Sequence, residues 1–182
     1  DEYTKHFVMS NGVTKAVMYP EPVHYEKNGK WQNIDNTLEY NDTNKKFKNK
    51  SNRFSVELDK DLSSDKIITI ENDGYTLSMK YKSGLLRSAF VNGHVEETDE
   101  PDNFIEKANY KTQSKFKYKK FEKDSDLEYI VTATGVKENI ILYSSNAKKE
   151  YSFVVDASNL DLIKNSDGSI SALNGENKEI FF

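Results

Sequence analysis

Cysteine is absent from this chain of 182 residues, and its absence excludes disulfide bonds, thiolate metal ligands and cysteine nucleophiles. No apolar run approaches the roughly 20 residues that a membrane-spanning helix needs, so we expect no membrane insertion. The net charge of −4 gives no general attraction to nucleic acid, which we exclude as a partner. Neither a signal peptide nor an initial methionine is present, and we therefore expect a piece of a longer polypeptide.

Helix signals are also scarce. Only residues 101–108 (PDNFIEKA) offer a helix start, with Pro101 near the first turn and acidic residues beside it, and we expect at most a short helix there. The 10 phenylalanines and 11 tyrosines argue against disorder, because aromatic side chains supply apolar area for a core.

Glycine is infrequent, but its placement indicates the fold class. Six of the eight glycines follow Asn or Asp, and such dipeptides favour type I′ hairpin turns, in which both central residues need a positive φ. We predict one all-β domain over residues 1–182, an antiparallel β-sandwich or a two-sheet, supersandwich-like domain of about a dozen strands built from hairpins. The six glycines are Gly12, Gly29, Gly74, Gly93, Gly168 and Gly175.

Apolar and alternating runs flank these turns. The predicted strand pairs are 7–9 with 16–19, 23–25 with 31–34, 67–70 with 75–81, and 86–91 with 94–97, followed by strands at 160–162, 170–172 and 180–182.

The most strand-like stretch spans residues 121–156. Strands at 127–133, 137–143 and 151–155 are predicted to form a three-stranded meander, with Gly135 at positive φ in the first turn. The consecutive apolar residues 140–142 predict that the second strand is covered on both faces. The basic, polar segment 43–52 is the best candidate for a loop.

No catalytic, metal or cofactor site is predicted. His6, His24 and His94 are far apart and match no metal-binding spacing, and the abundant carboxylates show no recognisable pairing. The acidic run 96–102, and more weakly residues 124–126, could hold calcium, although a solvated loop explains both.

Two sets of residues are candidate ligand contacts. Within 110–120, strand alternation would place four lysines on one side, with Phe116 and Tyr118 on the other. Such a row attracts polyanions, such as a teichoic acid of the cell wall, but it is also typical of a solvated edge strand. These lysines are Lys111, Lys115, Lys117 and Lys119.

The second set is an aromatic pair. Tyr25 and Trp31 lie on opposite arms of the hairpin around Asn28-Gly29 and are candidates for a sugar-stacking platform. Aromatic residues on paired strands also pack into a core or against each other, and that alternative stays open.

The segment 19–38 (YPEPVHYEKNGKWQNIDNTL) resembles the N-terminal β-rich region of secreted, cell-wall-associated RHS/YD-repeat proteins of Gram-positive bacteria, often followed by DNRLRE-type modules. Similar matches occur at 126–129, 136–142 and 167–170. The resemblance implies an accessory module of a secreted surface protein, and it supplies no active site.

We therefore expect a non-catalytic structural or presentation module of a cell-surface or wall-associated protein. A carbohydrate- or wall-polymer-binding module is the alternative, and a glycosidase-like enzyme is a third reading. The expected partners are a cell-wall polymer or downstream domains of the same chain.

Overall fold

The computed structural model describes residues 1–82 and 91–181, and over these residues the chain is all-β. Its strands pair antiparallel in every sheet, as the hairpin signals predict. The strands are β1 (Thr4–Val8), β2 (Thr14–Met18), β3 (His24–Lys27), β4 (Lys30–Asn33), β5 (Asp35–Asn41), β6 (Lys46–Ser51), β7 (Ser55–Asp59), β8 (Ile68–Asn72), β9 (Tyr75–Tyr81), β10 (Gly93–Glu96), β11 (Ser114–Glu122), β12 (Ser125–Val131), β13 (Val136–Leu142), β14 (Phe153–Asp156), β15 (Asp161–Lys164), β16 (Ile170–Leu173) and β17 (Glu179–Phe181).

Two sheets form the body of the molecule. The larger sheet has six strands in the order β14-β9-β8-β7-β6-β5, and the smaller has four in the order β10-β11-β12-β13. Hairpins β1-β2 and β3-β4 precede them, and the three-stranded sheet β15-β16-β17 follows. The predicted antiparallel β-sandwich is confirmed, with hairpins as its local units.

The core lies between the two main sheets. Val56 and Leu58 of the larger sheet and Leu127, Tyr129 and Val131 of the smaller one are fully buried, and all belong to one apolar cluster. Their spacing of two residues puts them on the inner face of each strand. Removing these side chains from water is the main favourable contribution to folding.

The Asx-Gly turns fall into three kinds. Asn28-Gly29 and Asp73-Gly74 have positive φ at both residues, as a type I′ turn requires. At Gly12 and Gly168 only the glycine is left-handed, with φ of +80° and +93°, so these two turns are not type I′ and the prediction is wrong there. Gly175 is not left-handed, and Asn177 (φ +59°) takes that role in its hairpin, so the type I′ prediction is wrong there.

The predicted turn at Asn92-Gly93 is also wrong. Gly93 begins β10 and pairs with Tyr118 of β11, while Asn92 bridges Asp61. A Cβ on Gly93 would lie 2.3 Å from the Phe116 ring, so glycine is required here for close packing and not for a turn. The first strand of that predicted hairpin lies mostly outside the described residues.

Only part of the three-stranded meander predicted within residues 121–156 is present. Strands β12 and β13 pair through seven residues, but β14 crosses to the other sheet and pairs with β9, for example Val155 with Met79. As a result β13 is an edge strand, and Leu142 is 54% exposed instead of covered on both faces. Gly135 closes the β12-β13 turn without a positive φ, contrary to the prediction.

The predicted loop at 43–52 is also wrong, because most of it forms β6. The buried positions of β6 do not appear as apolar residues in the sequence, because the most fully buried side chain of this strand is the polar Asn49. Phe47 of the same strand packs against the core cluster.

Buried asparagines join the two sheets. The Asn36 side chain on β5 is fully buried and donates to the backbone oxygens of Thr112 (2.7 Å) and Thr132 (2.8 Å) on the other side. Its own oxygen accepts from Asn49 at 3.0 Å and Asn52 at 3.2 Å. We call Asn36, Asn49 and Asn52 the asparagine staple. A buried amide is stable only when it is hydrogen-bonded, and this one has four partners.

The short helix expected within 101–108 is present as α1 (Phe104–Lys107). Asn103 caps it by accepting from the Ile105 amide at 2.9 Å. The helix anchors the N-terminal segment, since Tyr19 donates to the Ile105 oxygen at 2.9 Å. Within the described part of the chain, no helix is long and apolar enough to cross a membrane.

Candidate functional site

The four lysines of the predicted row do not share one strand face. Lys115, Lys117 and Lys119 lie on β11, but Lys111 belongs to a 3₁₀ helix, Tyr110–Thr112, before the strand begins. The Lys111 ammonium lies 5.8 Å from the centre of the Tyr110 ring. The prediction of a four-lysine strand face is therefore wrong, because the backbone between Lys111 and Lys115 is not extended throughout.

Lys117 already has two anionic partners. Its ammonium lies 3.0 Å from Glu96 and 3.3 Å from Glu128, and its side chain is only 12% exposed. Burial alone would lower the pKa of Lys117, but the hydrogen bonds and charges of the two carboxylates outweigh burial and raise it. An ammonium held in this way contributes little to the attraction of an external polyanion.

The other two lysines of the row on β11 remain at least partly accessible. Lys119 is exposed and 3.9 Å from Glu96, and Lys115 is half-buried, opposite Glu96 of β10 and Ile130 of β12. A polyanion on this face would meet these two cations, with Glu96 as a repulsive neighbour.

Tyr25 and Trp31 lie on opposite faces of the β3-β4 hairpin. Tyr25 pairs with Gln32, and the adjacent register position pairs Glu26 with Trp31. Because successive positions alternate between faces, the two rings cannot form one platform, and the paired-aromatic prediction is wrong. Tyr25 is buried and its hydroxyl lies 2.9 Å from that of Ser51, whereas the Trp31 side chain is half-exposed.

The three histidines lie on separate strands, and two residues of the acidic run form ion pairs with lysines. His6, His24 and His94 lie on three different strands, β1, β3 and β10. Within the acidic run, Glu96 pairs with Lys117, and Glu100 pairs with Lys107 at 2.7 Å. Over residues 1–82 and 91–181, no three His, Asp or Glu side chains converge on a point that could hold a metal ion.

An apolar groove of about 370 Å³ lies between the two main sheets and the C-terminal sheet. The inner face of the six-stranded sheet supplies one wall, and β15 and β16 supply the other. The main apolar residues that line this apolar groove are Ile70, Leu77, Met79, Val155, Leu162 and Ile170.

The groove exists because the two main sheets differ in width. Four strands cannot cover the inner face of six, and the C-terminal sheet covers part of the remainder. That sheet is attached at one end, where Asn72 donates to the Ile180 oxygen at 3.1 Å and Lys178 pairs with Asp73 at 2.9 Å. Away from this attachment Val155, Leu162 and Ile170 stay 43%, 47% and 57% exposed.

Polar groups lie at one end of the groove. Arg53 precedes β7, Asn72 ends β8 and Thr134 lies in the β12-β13 turn, and all three line the groove. Among the residues that the structure describes, the Arg53 guanidinium forms no ion pair. Sequence reasoning missed this site because its lining comes from several distant segments, and no local pattern marks any of them as part of a groove.

No family model matches the chain, and no significantly similar curated protein or solved structure was found.

Proposed function

We propose that this chain is a non-catalytic structural or presentation module of a secreted, wall-associated bacterial surface protein of the RHS/YD-repeat kind. The observation that carries the proposal is the role of Asn36. It lies in the Ile34-Asp35-Asn36-Thr37-Leu38 segment on which the family resemblance partly rests, and its side chain is fully buried with four hydrogen-bond partners that join the two sheets. Because this side chain is buried and fully hydrogen-bonded within the protein, it supports a structural role for the segment.

The polar groups of the smaller sheet also support a structural role. Lys117 pairs with both Glu96 and Glu128, and the Asn139 amide donates to Glu128 at 3.0 Å. These contacts link all four strands of the smaller sheet, β10 to β13, across its outer face.

Cell fractionation tests the proposed location. An antibody against the purified chain is used on the source bacterium, with protease added to intact cells. We expect the antigen in the secreted or wall fraction, and its loss on protease treatment. Antigen found only inside protease-resistant cells would overturn the proposal, and release of soluble sugar from purified wall by the chain would overturn its non-catalytic part.

The alternative function is binding of a carbohydrate or wall polymer, favoured by the half-exposed Trp31 ring and by Lys115 and Lys119. Co-sedimentation with purified wall, with and without teichoic acid and across a salt series, tests it. Charge-driven binding would weaken steeply with salt and with the double reversal Lys115→Glu/Lys119→Glu, because exposed charges are screened beyond a Debye length of about 8 Å. Binding lost in Trp31→Ala alone would indicate sugar stacking instead.

A further inference from the structure

We propose that the apolar groove binds a single-chain anionic amphiphile, with the carboxylate at Arg53 and the alkyl chain along Leu77, Met79 and Val155. A free fatty acid is the simplest ligand of this class. The polar end of the groove borders the asparagine staple, since Asn52 directly precedes Arg53 and Asn49 donates to the Phe54 oxygen, but the inference does not depend on the structural role proposed above.

The size and lining of the groove fit an alkyl chain. Its volume of about 370 Å³ falls within the range of small-molecule pockets, roughly 300–1,000 Å³. Val155, Leu162 and Ile170 come from three strands, converge on the groove and remain about half in water. A ligand that covers them gains the free energy of removing apolar surface from water.

The groove is elongated and polar at one end only. Asn72 pairs with Tyr75 at the β8-β9 turn, whereas Met79 lies four residues further along β9, beside Val155. At the rise of an extended strand this separation is roughly 13 Å. The apolar body and the polar end therefore follow one another along the strand, as the tail and head of an amphiphile do.

The charge at the polar end selects an anion. Arg53 lines the groove and forms no ion pair with any residue of the described ranges. A guanidinium offers a planar, bidentate match to a carboxylate. The other polar lining residues, Asn72 and Thr134, are uncharged, and no acidic side chain lines the groove in the described structure.

Calorimetric titration with three amphiphiles of equal chain length tests the assignment. The ligands are dodecanoate and dodecyltrimethylammonium, each below its critical micelle concentration, and dodecanol, below its solubility limit. We expect one saturable site with the order dodecanoate, then dodecanol, then the cation. Shortening the carboxylate should weaken binding by up to about fourfold per methylene removed from the groove. A preference for the cation, or no saturable binding, would overturn the proposal.

Variants separate the head from the tail. Arg53→Gln should weaken dodecanoate binding up to about fivefold at low salt, because Arg53 is exposed, and leave dodecanol binding unchanged. Leu162→Trp, at a half-exposed groove position, should abolish binding of both ligands by filling the groove. Leu142→Trp is the matched control, since Leu142 is similarly exposed but lies outside the groove, and it should bind as the wild type does.

A vesicle experiment distinguishes the free amphiphile from a membrane surface. Co-sedimentation with phosphatidylglycerol vesicles should show no binding that Leu162→Trp removes. Binding to vesicles without binding of monomeric dodecanoate would instead identify a membrane-docking face and overturn the proposal. Equal effects of Leu162→Trp and Leu142→Trp would also overturn it, because the groove would then have no specific role.

Discussion

The amide of Asn49 donates to the side-chain oxygen of Asn36 at 3.0 Å, and this bond links two buried polar residues on neighbouring strands. Through Asn36 the same network reaches Thr112 and Thr132 on the opposite side of the sandwich. The two main sheets are thus joined by apolar packing and also by directional bonds, which define how one sheet is placed against the other.

Asn36→Ala should lower the free energy of unfolding by about 3 kcal/mol. The substitution leaves the buried Thr112 carbonyl without this donor, and it removes one of the two side-chain bonds at the Thr132 carbonyl and at the Asn49 amide; each bond lost by a buried group carries a cost. Urea denaturation followed by circular dichroism measures the change. Asn146→Ala, at an exposed position, is the control and should stay within about 0.5 kcal/mol of the wild type. Equal stability of the two variants would show that the staple contributes nothing.

Gly93→Ala should destabilise the protein by about 3 kcal/mol, because the added Cβ would lie 2.3 Å from the Phe116 ring and 2.8 Å from Tyr118. Gly135→Ala is the matched control, since Gly135 has open space around a Cβ and no positive φ. We expect that control to be neutral or slightly stabilising. Thermal unfolding of both variants checks the difference, and a neutral Gly93→Ala would contradict the packing at β10.

The hairpins show how much of the fold sequence reasoning reaches. Asn28-Gly29 and Asp73-Gly74 were predictable because a two-residue turn and its flanking strands are local. Gly93 has the same dipeptide pattern with a different cause, the approach of the Phe116 ring from a distant strand. A pattern within three residues cannot separate these two cases.

Pairings across long sequence separations were less predictable. The partner of β14 is β9, more than 70 residues earlier, and nothing within 151–155 indicates it. The strand β6 was missed because its most buried side chain is a polar one, Asn49, whose hydrogen bonds become visible only in three dimensions. The groove depends on both kinds of information, and for that reason the sequence did not indicate it.

Stability should fall at alkaline pH. Burial raises the pKa of Tyr118 and of Tyr129 well above the ordinary value. In the unfolded chain a tyrosine ionises near pH 10, whereas these two stay neutral in the folded state. Their stabilising contribution is therefore complete below about pH 10 and is lost as the pH rises towards the folded pKa, by about 1.4 kcal/mol per pH unit for each residue.

Tyr129→Phe isolates one of these contributions. The Tyr129 hydroxyl is buried opposite Glu138 of β13 and makes no hydrogen bond of normal geometry within the described structure, so its removal should leave stability at neutral pH unchanged or raise it by up to about 1 kcal/mol. Above pH 10 the free energy of unfolding of the variant should also fall less steeply than that of the wild type, by about 1.4 kcal/mol per pH unit. Denaturation at several pH values measures both effects, with Tyr3→Phe, at an exposed residue, as the control. An unchanged alkaline slope in Tyr129→Phe would contradict the assignment.

Lys117→Met should lower stability at neutral pH by about 2 kcal/mol, because it leaves the Glu128 carboxylate, whose side chain is 10% exposed, without its cation. Burial alone would raise the pKa of Glu128, but hydrogen bonds from Asn139 and Lys117 outweigh burial and lower it. In the wild type this contribution is present above about pH 4.3 and is lost as the pH falls through the folded pKa.

The matched control for that variant is Lys115→Met, on the same strand and without an ion pair among the described residues. It should change stability by no more than about 0.5 kcal/mol. Chemical denaturation between pH 3 and pH 7 separates the variants, since Lys117→Met should lose less stability on acidification than the wild type. If both lysine variants behaved alike, the pairing of Lys117 with Glu96 and Glu128 would have no energetic weight.

A structural module must keep its parts in a constant relative position, so the two main sheets should open together. Native-state amide hydrogen exchange measures this directly at Val56 on β7 and Leu127 on β12. We predict equal opening free energies at the two amides, matching global unfolding, and an equal decrease at both in Asn36→Ala. If the opening free energy of one sheet were several kcal/mol lower than that of the other in the wild type, the proposed role would be contradicted.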